Sequence, residues 1–333
     1  MNTSASPHPN VRAPHVLTLA MLAGLGLPGA SLTSHAQDKY PSKPLTIVVP
    51  TAPASSTDAS ARQVAAKLAP LFGQSVVVEN KPGAGGIVGI AYLAKLRPDG
   101  YAILHSATSN LATAPGMVKA LPFDPIQDFA GVTISNEGYV ALLTREEYKN
   151  LSFPQFLDRM RRNPEQFPIA GTNLANKVFL KQIADAAKIP LTYVPYTDYG
   201  RMMNDLWGGR LGGTLGLLNL TMPMVKGGQG HIVAMSSAER LTHMPGMPTT
   251  EETLPGVSYT SSGSYFAPAR TPRAIVNLLY TQISTVGKDP EVIRRNQEGG
   301  RPMFLGPEET DAYMKKEVQR WSALLKESGI VPE

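Results

Sequence analysis

Short apolar runs alternate with helical periods along almost the whole chain. Stretches at 45–49, 75–80, 101–106, 167–171, 191–196, 214–220, 231–237 and 264–269 read as strands. Amphipathic periods over 58–71, 85–95, 153–163, 176–187 and 200–207 read as helices, and a helix also fits near 110–119. Residues 129–144 hold two further extended pieces, and a short helix separates 214–220 from 231–237. Such alternation predicts the α/β class, with mostly parallel sheets covered on both faces by helices. After the run at 264–269 the chain is helical (272–287, 290–297 and 307–327), which suggests a return to the lobe it began. The expected architecture therefore has two lobes, with crossings near 139–144 and near 258–264. The first lobe takes residues 37–140 and 262–333, the second 141–261. In open α/β sheets a ligand lies beyond the carboxyl ends of the strands, so two facing lobes place it in the cleft between them.

The first 36 residues read as a secretory leader. Residues 1–15 are polar, with Arg12 and no acid; VLTLAMLAGLGL (16–27) is apolar, and Pro28-Gly29 ends it. Ser34-His35-Ala36 is a small-x-small cleavage site, so cleavage is expected after Ala36. The apolar run falls short of the about 20 residues a membrane span needs. An exported protein is the expectation. The absence of cysteine excludes disulfides, thiolate catalysis and Cys-based zinc sites. The formal charge of +5 shows no basic cluster and aromatics make up only 7%, so no nucleic-acid partner is expected.

The motifs point away from catalysis and cofactors. Gly83, Gly85 and Gly89 give G-x-G-x-x-x-G, one residue too long for a dinucleotide fingerprint and placed after the second strand. A tight strand-to-helix turn with close packing is the better reading. Asp124 and Asp128, between Pro122 and Pro125 in a rigid loop, read as turn chemistry. No nucleophile elbow, P-loop or H-E-x-x-H occurs, and His105, His231 and His243 lie far apart. A hydrolase reading rests on serines 55 and 56 alone and lacks a histidine placed to activate them. The segment from Thr51 to Asp58 joins the first strand to the first helix and carries Ser55, Ser56 and Thr57 in a row. Unpaired N–H groups at a helix start suit an anion. Asp58 in the same turn either caps the helix or meets a donor group on the ligand.

Eight ordered segments carry a family resemblance: YPSKPLTIVVP, SVVVENKPGAGG, PDGYAIL, LPFDPIQDF, YVPYTD, DLWGGRL, MPGMPTTEE and YFAPARTPRAIV. Together they span essentially all of the chain beyond the leader. In order and spacing it resembles the periplasmic solute receptors of tripartite tricarboxylate transporters, the Bordetella-uptake-gene or TctC-like proteins. The resemblance implies a two-lobed periplasmic binding protein fold of type II-like form. It also implies a small carboxylate ligand, delivery to membrane permease subunits, a monomer, and neither catalysis nor a cofactor. A ligand-presenting sensor or accessory protein without its own permease is the alternative.

That family's first loop usually reads P-x-P-P-G-G-x-x-D and takes a ligand carboxylate on N–H groups and hydroxyls. Here it is Pro50-Thr51-Ala52-Pro53-Ala54-Ser55-Ser56-Thr57-Asp58, so the glycine pair is Ala54-Ser55 and the loop path is open to change. The family's T-H-x-x-N-P becomes Asn110-Leu111-Ala112-Thr113-Ala114-Pro115, and Lys177 falls where a histidine is frequent. Carried over position by position, the expected contacts are Thr51, Ser55, Ser56, Thr57 and Asp58, with Ser109 and Asn110 after the third strand. Across the cleft they are Gly171, Thr172, Asn173, Lys177, Thr197 and Asn219.

Overall fold

The computed structural model describes residues 40–330; the expected leader and its cleavage site lie outside the described residues. The chain opens with β1 (Leu45–Val49), α1 (Ser56–Phe72), β2 (Val76–Asn80), α2 (Ile87–Ala94), β3 (Ala102–Ala107) and α3 (Thr108–Thr113). It continues through β4 (Phe129–Gly138), β5 (Val140–Thr144), α4 (Phe153–Arg162), β6 (Ile169–Gly171), α5 (Leu174–Ala187) and β7 (Tyr193–Pro195). Then follow α6 (Tyr199–Trp207), β8 (Gly213–Leu217), α7 (Leu218–Lys226), β9 (His231–Met235) and α8 (Thr250–Thr253). β10 (Gly263–Pro268), α9 (Arg273–Gly287), α10 (Pro290–Gly299), β11 (Gly300–Pro302) and α11 (Pro307–Glu327) complete it.

Two sheets form, in the orders β11-β4-β10-β3-β1-β2 and β7-β6-β8-β5-β9. β10 rejoins the first sheet after the five strands of the second, as the returning helices led one to expect. The expectation of mostly parallel sheets needs correction. β1 pairs parallel with β2 and β3, and β6 with β7 and β8. But β10 lies antiparallel between β3 and β4, and β5 antiparallel between β8 and β9. These are the strands that enter each sheet from the other. A strand arriving from the cleft side, with no crossover helix, must run against strands whose carboxyl ends point at the cleft. Alternation of strands and helices carries no sign of that reversal.

Local chemistry explains the first unit. In β1, four of the five side chains are buried, as befits a strand with neighbours on both sides. Ala61, Val64, Ala65 and Leu68 repeat at helical spacing and turn one face of α1 onto the sheet. Gly89 of α2 has no room for a side chain: a Cβ there would lie 2.7 Å from the Lys81 carbonyl oxygen and 2.8 Å from the Pro50 Cα. The glycine-rich turn thus serves close helix–strand packing. Asp124 accepts from the N–H groups of Ile126 (2.7 Å) and Gln127 (2.9 Å), and Asp128 from that of Asp124 (2.7 Å), which makes this pair turn chemistry.

The two sheets meet at a narrow hinge. β4 runs into β5 with only Tyr139 between them, and Tyr139 bridges to Thr260 on the second crossing segment. Gly138 and Ser261 exchange both backbone hydrogen bonds, at 3.1 and 2.8 Å, while the Tyr139 N–H donates to the Gly299 carbonyl at 2.9 Å. One apolar cluster is shared by both lobes, including Leu111 of α3, Phe179 of α5, Tyr259 and Trp321. Its aromatic rings pack with centroids 5.6 Å apart from Phe179 to Tyr259 and again from Tyr259 to Trp321. Separate clusters fill the remaining side of each lobe.

Candidate functional site

The carboxyl ends of β3, β4 and β8 converge beside the hinge on a cavity of about 80 Å³. Ser56, Thr57 and Ser60 of α1, together with His105, Ser106 and Ala107, form one wall. Asn136, Gly138 and Ser261 to Gly263 form the floor, with Leu217 and Asn219 opposite and Arg295, Asn296 and Gly299 of α10 closing the side. A larger hollow of about 540 Å³ opens in the second lobe by Phe153 and Met247. Its only charged lining residue is Glu252, which Arg240 already pairs at 2.7 Å. The hinge cavity has a cation, Arg295, on its lining instead.

Three features give that cavity its character. α1 begins at Ser56, so the N–H groups of its first turn have no intrahelical acceptor, apart from Asp58, whose N–H donates to the Ser55 hydroxyl at 3.2 Å. The positive end of a 17-residue helix therefore faces the cavity, and α7 starts at its other rim. Arg295 is the single cation on the lining, and no Asp or Glu borders it. Its Nη1 makes only long contacts, 3.4 Å each, to the Ala59 carbonyl and the Gln63 side-chain oxygen, and no carboxylate pairs with it among the described residues.

His105 is the third feature. It is buried, stacks on Tyr265 with centroids 4.2 Å apart, and lies 3.1 Å through Nδ1 from the Ser264 carbonyl. A carbonyl only accepts, so Nδ1 carries the proton and Nε2 is left as an acceptor. Burial, with a smaller contribution from the nearby Arg295 charge, pushes the imidazole down to about 4. At neutral pH the ring carries no charge.

Of the sequence-derived candidates, Ser56, Thr57 and Asn219 border the cavity. Asn219, read as the end of a strand, instead occupies the first turn of α7. Thr51 and Ser55 hydrogen-bond each other at 2.7 Å, and Ser55 caps α1. Asp58 is 3% exposed and fully engaged, accepting from the Ala54 N–H (2.9 Å), Asn80 (2.9 Å) and Arg62 (3.0 Å). Burial alone would raise its carboxyl, but the hydrogen bonds from Arg62, Asn80 and Ala54 outweigh that and hold it below the usual carboxylate range. The acid of this turn thus organises the loop. Ser109 is buried and lies 3.4 Å from the Tyr259 hydroxyl, while Asn110 donates to Ser106 at 3.3 Å. In the second lobe, Asn173 caps α5, Gly171 packs on Asn176 and Tyr193, and Thr172, Lys177 and Thr197 are exposed; none of the five borders the cavity.

The Ala54 backbone sits at φ 64°, the left-handed region that glycine would take without strain. The loop therefore keeps a glycine-type path despite the substitution, with the Asp58 carboxylate holding the strained N–H. Replacing Ala54 by Gly is expected to raise stability by about 1 kcal/mol, the usual cost of this region for an L-residue less the added freedom of the unfolded chain. A urea titration measures it, and a lowered midpoint would show that the turn stores no strain.

Sequence reasoning missed Arg295, Asn296, His105 and Asn136. His105 and Ser106 end the third strand, so the rule of carboxyl ends held the signal for them. Ser261 to Gly263 fall in the second crossing, expected near 258–264. Arg295 had no such signal: it is one of several charges on a polar helix, more than two hundred residues from α1.

Comparisons with known proteins bear on the fold and the family. Residues 60–330 match the family described as tripartite tricarboxylate transporter family receptor. A UPF0065 protein of Agrobacterium vitis is 32% identical over 303 residues, 89% of this chain and 87% of its own. The protein BugT of Bordetella pertussis is 28% identical, over 88% of this chain and 91% of its own. Among solved structures, the periplasmic binding protein BugD is 27% identical with a TM-score of 0.80, covering 88% of this chain and 100% of that one. An R. palustris protein solved with adipate is 26% identical with a TM-score of 0.81 over the same shares. The fold is that of a two-lobed periplasmic binding protein, and the chain belongs to the tripartite tricarboxylate transporter receptor family.

Proposed function

We propose that this protein is a periplasmic receptor that captures a small organic carboxylate in the hinge cavity and delivers it to membrane permease subunits. It performs no chemistry on the ligand and acts as a monomer, after export and removal of residues 1–36 behind Ala36. The ligand is enclosed by a first lobe of 37–140 and 262–333 and a second of 141–261. One observation carries the reading: an interlobe cavity whose only charge is an unpaired guanidinium, set against the start of a long helix. Ser56 and Thr57 supply donors from one lobe and Asn219 from the other. The adipate in the R. palustris relative supports the ligand class. Two or three charge-assisted hydrogen bonds at roughly 1.5–3 kcal/mol each, together with lobe closure, would give an affinity near micromolar, about −8 kcal/mol.

A thermal-shift screen of the mature protein against mono-, di- and tricarboxylates tests this. At least one acid is expected to raise the melting temperature in a concentration-dependent way, because a ligand bound only by the native state stabilises it by mass action. A flat response across the whole panel, repeated by calorimetry, would reject the receptor role.

A further inference from the structure

The cavity lining has one positive charge and no second one. Arg295 is the only cation there, and Lys177, the other residue expected to meet a carboxylate, is exposed and outside the lining. The rest of the polar surface is neutral: hydroxyls from α1, from Ser106 of β3 and from Ser261 and Ser262 of the second crossing, and side-chain amides from Asn136, Asn219 and Asn296. A dicarboxylate placed here would bring one carboxylate to Arg295 and leave the other to the neutral N–H groups and hydroxyls at the start of α1, with no second cation to meet it. Nothing apolar beyond Leu217 and the alanine at 107 offers a surface for an aromatic or alkyl chain. His105 adds a sharper constraint. Its free Nε2 is an acceptor, and a carboxylate is an acceptor as well, so the two cannot pair. A ligand hydroxyl can donate to it.

Resting on the receptor reading above, we propose that the ligand is a compact hydroxylated monocarboxylate, its carboxylate on Arg295 and a hydroxyl on His105. The cavity is also small, about 80 Å³, which suits a compact acid.

Calorimetry on the mature protein, with glycerate, propionate and succinate as probes, decides the matter. Glycerate is expected to bind at least tenfold more tightly than propionate, which lacks the hydroxyls, and than succinate, which adds a charge. Arg295→Gln should weaken glycerate at least tenfold while circular dichroism shows an intact fold, and Lys177→Met should leave it unchanged. Succinate or propionate binding as tightly as glycerate would overturn the hydroxy-acid assignment and leave the carboxylate receptor standing. Unchanged glycerate affinity in Arg295→Gln, or a large loss in Lys177→Met, would overturn the assignment of the anchor. Failure of all three probes and of the wider carboxylate panel would instead remove the receptor reading itself.

Discussion

Gly300→Ala is expected to destabilise the protein by about 3 kcal/mol, at the upper end of the overpacking range. Gly300 opens β11 and pairs with Gly138, at the point where the chain crosses from one sheet to the other. A Cβ on residue 300 would lie 1.7 Å from the Glu137 carbonyl oxygen and 2.9 Å from the Gly138 Cα. Both neighbours are backbone, so no rotamer change relieves the overlap. The surroundings are equally crowded: a Cβ on Gly138 would meet the Ser261 carbonyl at 2.7 Å, and one on Gly263 the Asn136 side chain at 2.4 Å. Moving β11 away would disturb the turn from α10, and with it the hydrogen bond from Tyr139 to Gly299 and the position of Arg295. The urea midpoint should fall by about 1 M for an m-value of 2–3 kcal/mol/M, and carboxylate binding should weaken in parallel. A midpoint within error of the unmodified protein would mean that the three strands at the hinge have slack.

Acid should reveal His105. Its folded-state value, depressed by burial to about 4, lies below the ordinary histidine value of 6.5. Between those two values the unfolded chain binds a proton that the folded protein refuses, so stability falls as pH drops through this window and is fully present above it. Integrated from pH 7.5 to pH 4.5, the loss is about 2.5 kcal/mol. His105→Gln keeps a donor for the Ser264 carbonyl but does not titrate. Its stability should therefore be lower than that of the unmodified protein at pH 7.5, with the gap closing or reversing by pH 4.5. Urea titrations of both proteins at the two pH values measure the difference, in which the carboxylates common to both cancel. Parallel acid limbs would show that the ring is already charged, or solvated, in the native state.

Much of the fold was legible along the chain because strand and helix are local. The run LTIVV and the repeat of Ala61, Val64, Ala65 and Leu68 state their periods within a dozen residues. The glycine turn before α2 and the Asx turns at Asp124 and Asp128 are equally local, since their acceptors lie two to four residues away. The hydroxyl-rich start of α1 is equally local, and its Ser56 and Thr57 border the cavity. Asp58, in the same turn, was ambiguous from sequence, because its partner Asn80 comes from the next strand.

Order and spacing of eight segments determined the family, and alternation with a late strand determined the two-lobed plan. Tertiary structure alone decided the direction of β5 and β10, because a crossing strand inherits its direction from the side of the cleft it leaves. It alone also decided which residues meet at the site. The loops at 171–173 and 196–198 have the composition of a binding surface, yet Asn173 and Asn176 spend their side chains on the start of α5. Arg295 looks like any other charge on a polar helix until α10 is laid beside α1 and α7. Charge on a surface helix is free to pair with water wherever it stands; only the packing of distant segments leaves one guanidinium facing a cavity with no acid beside it.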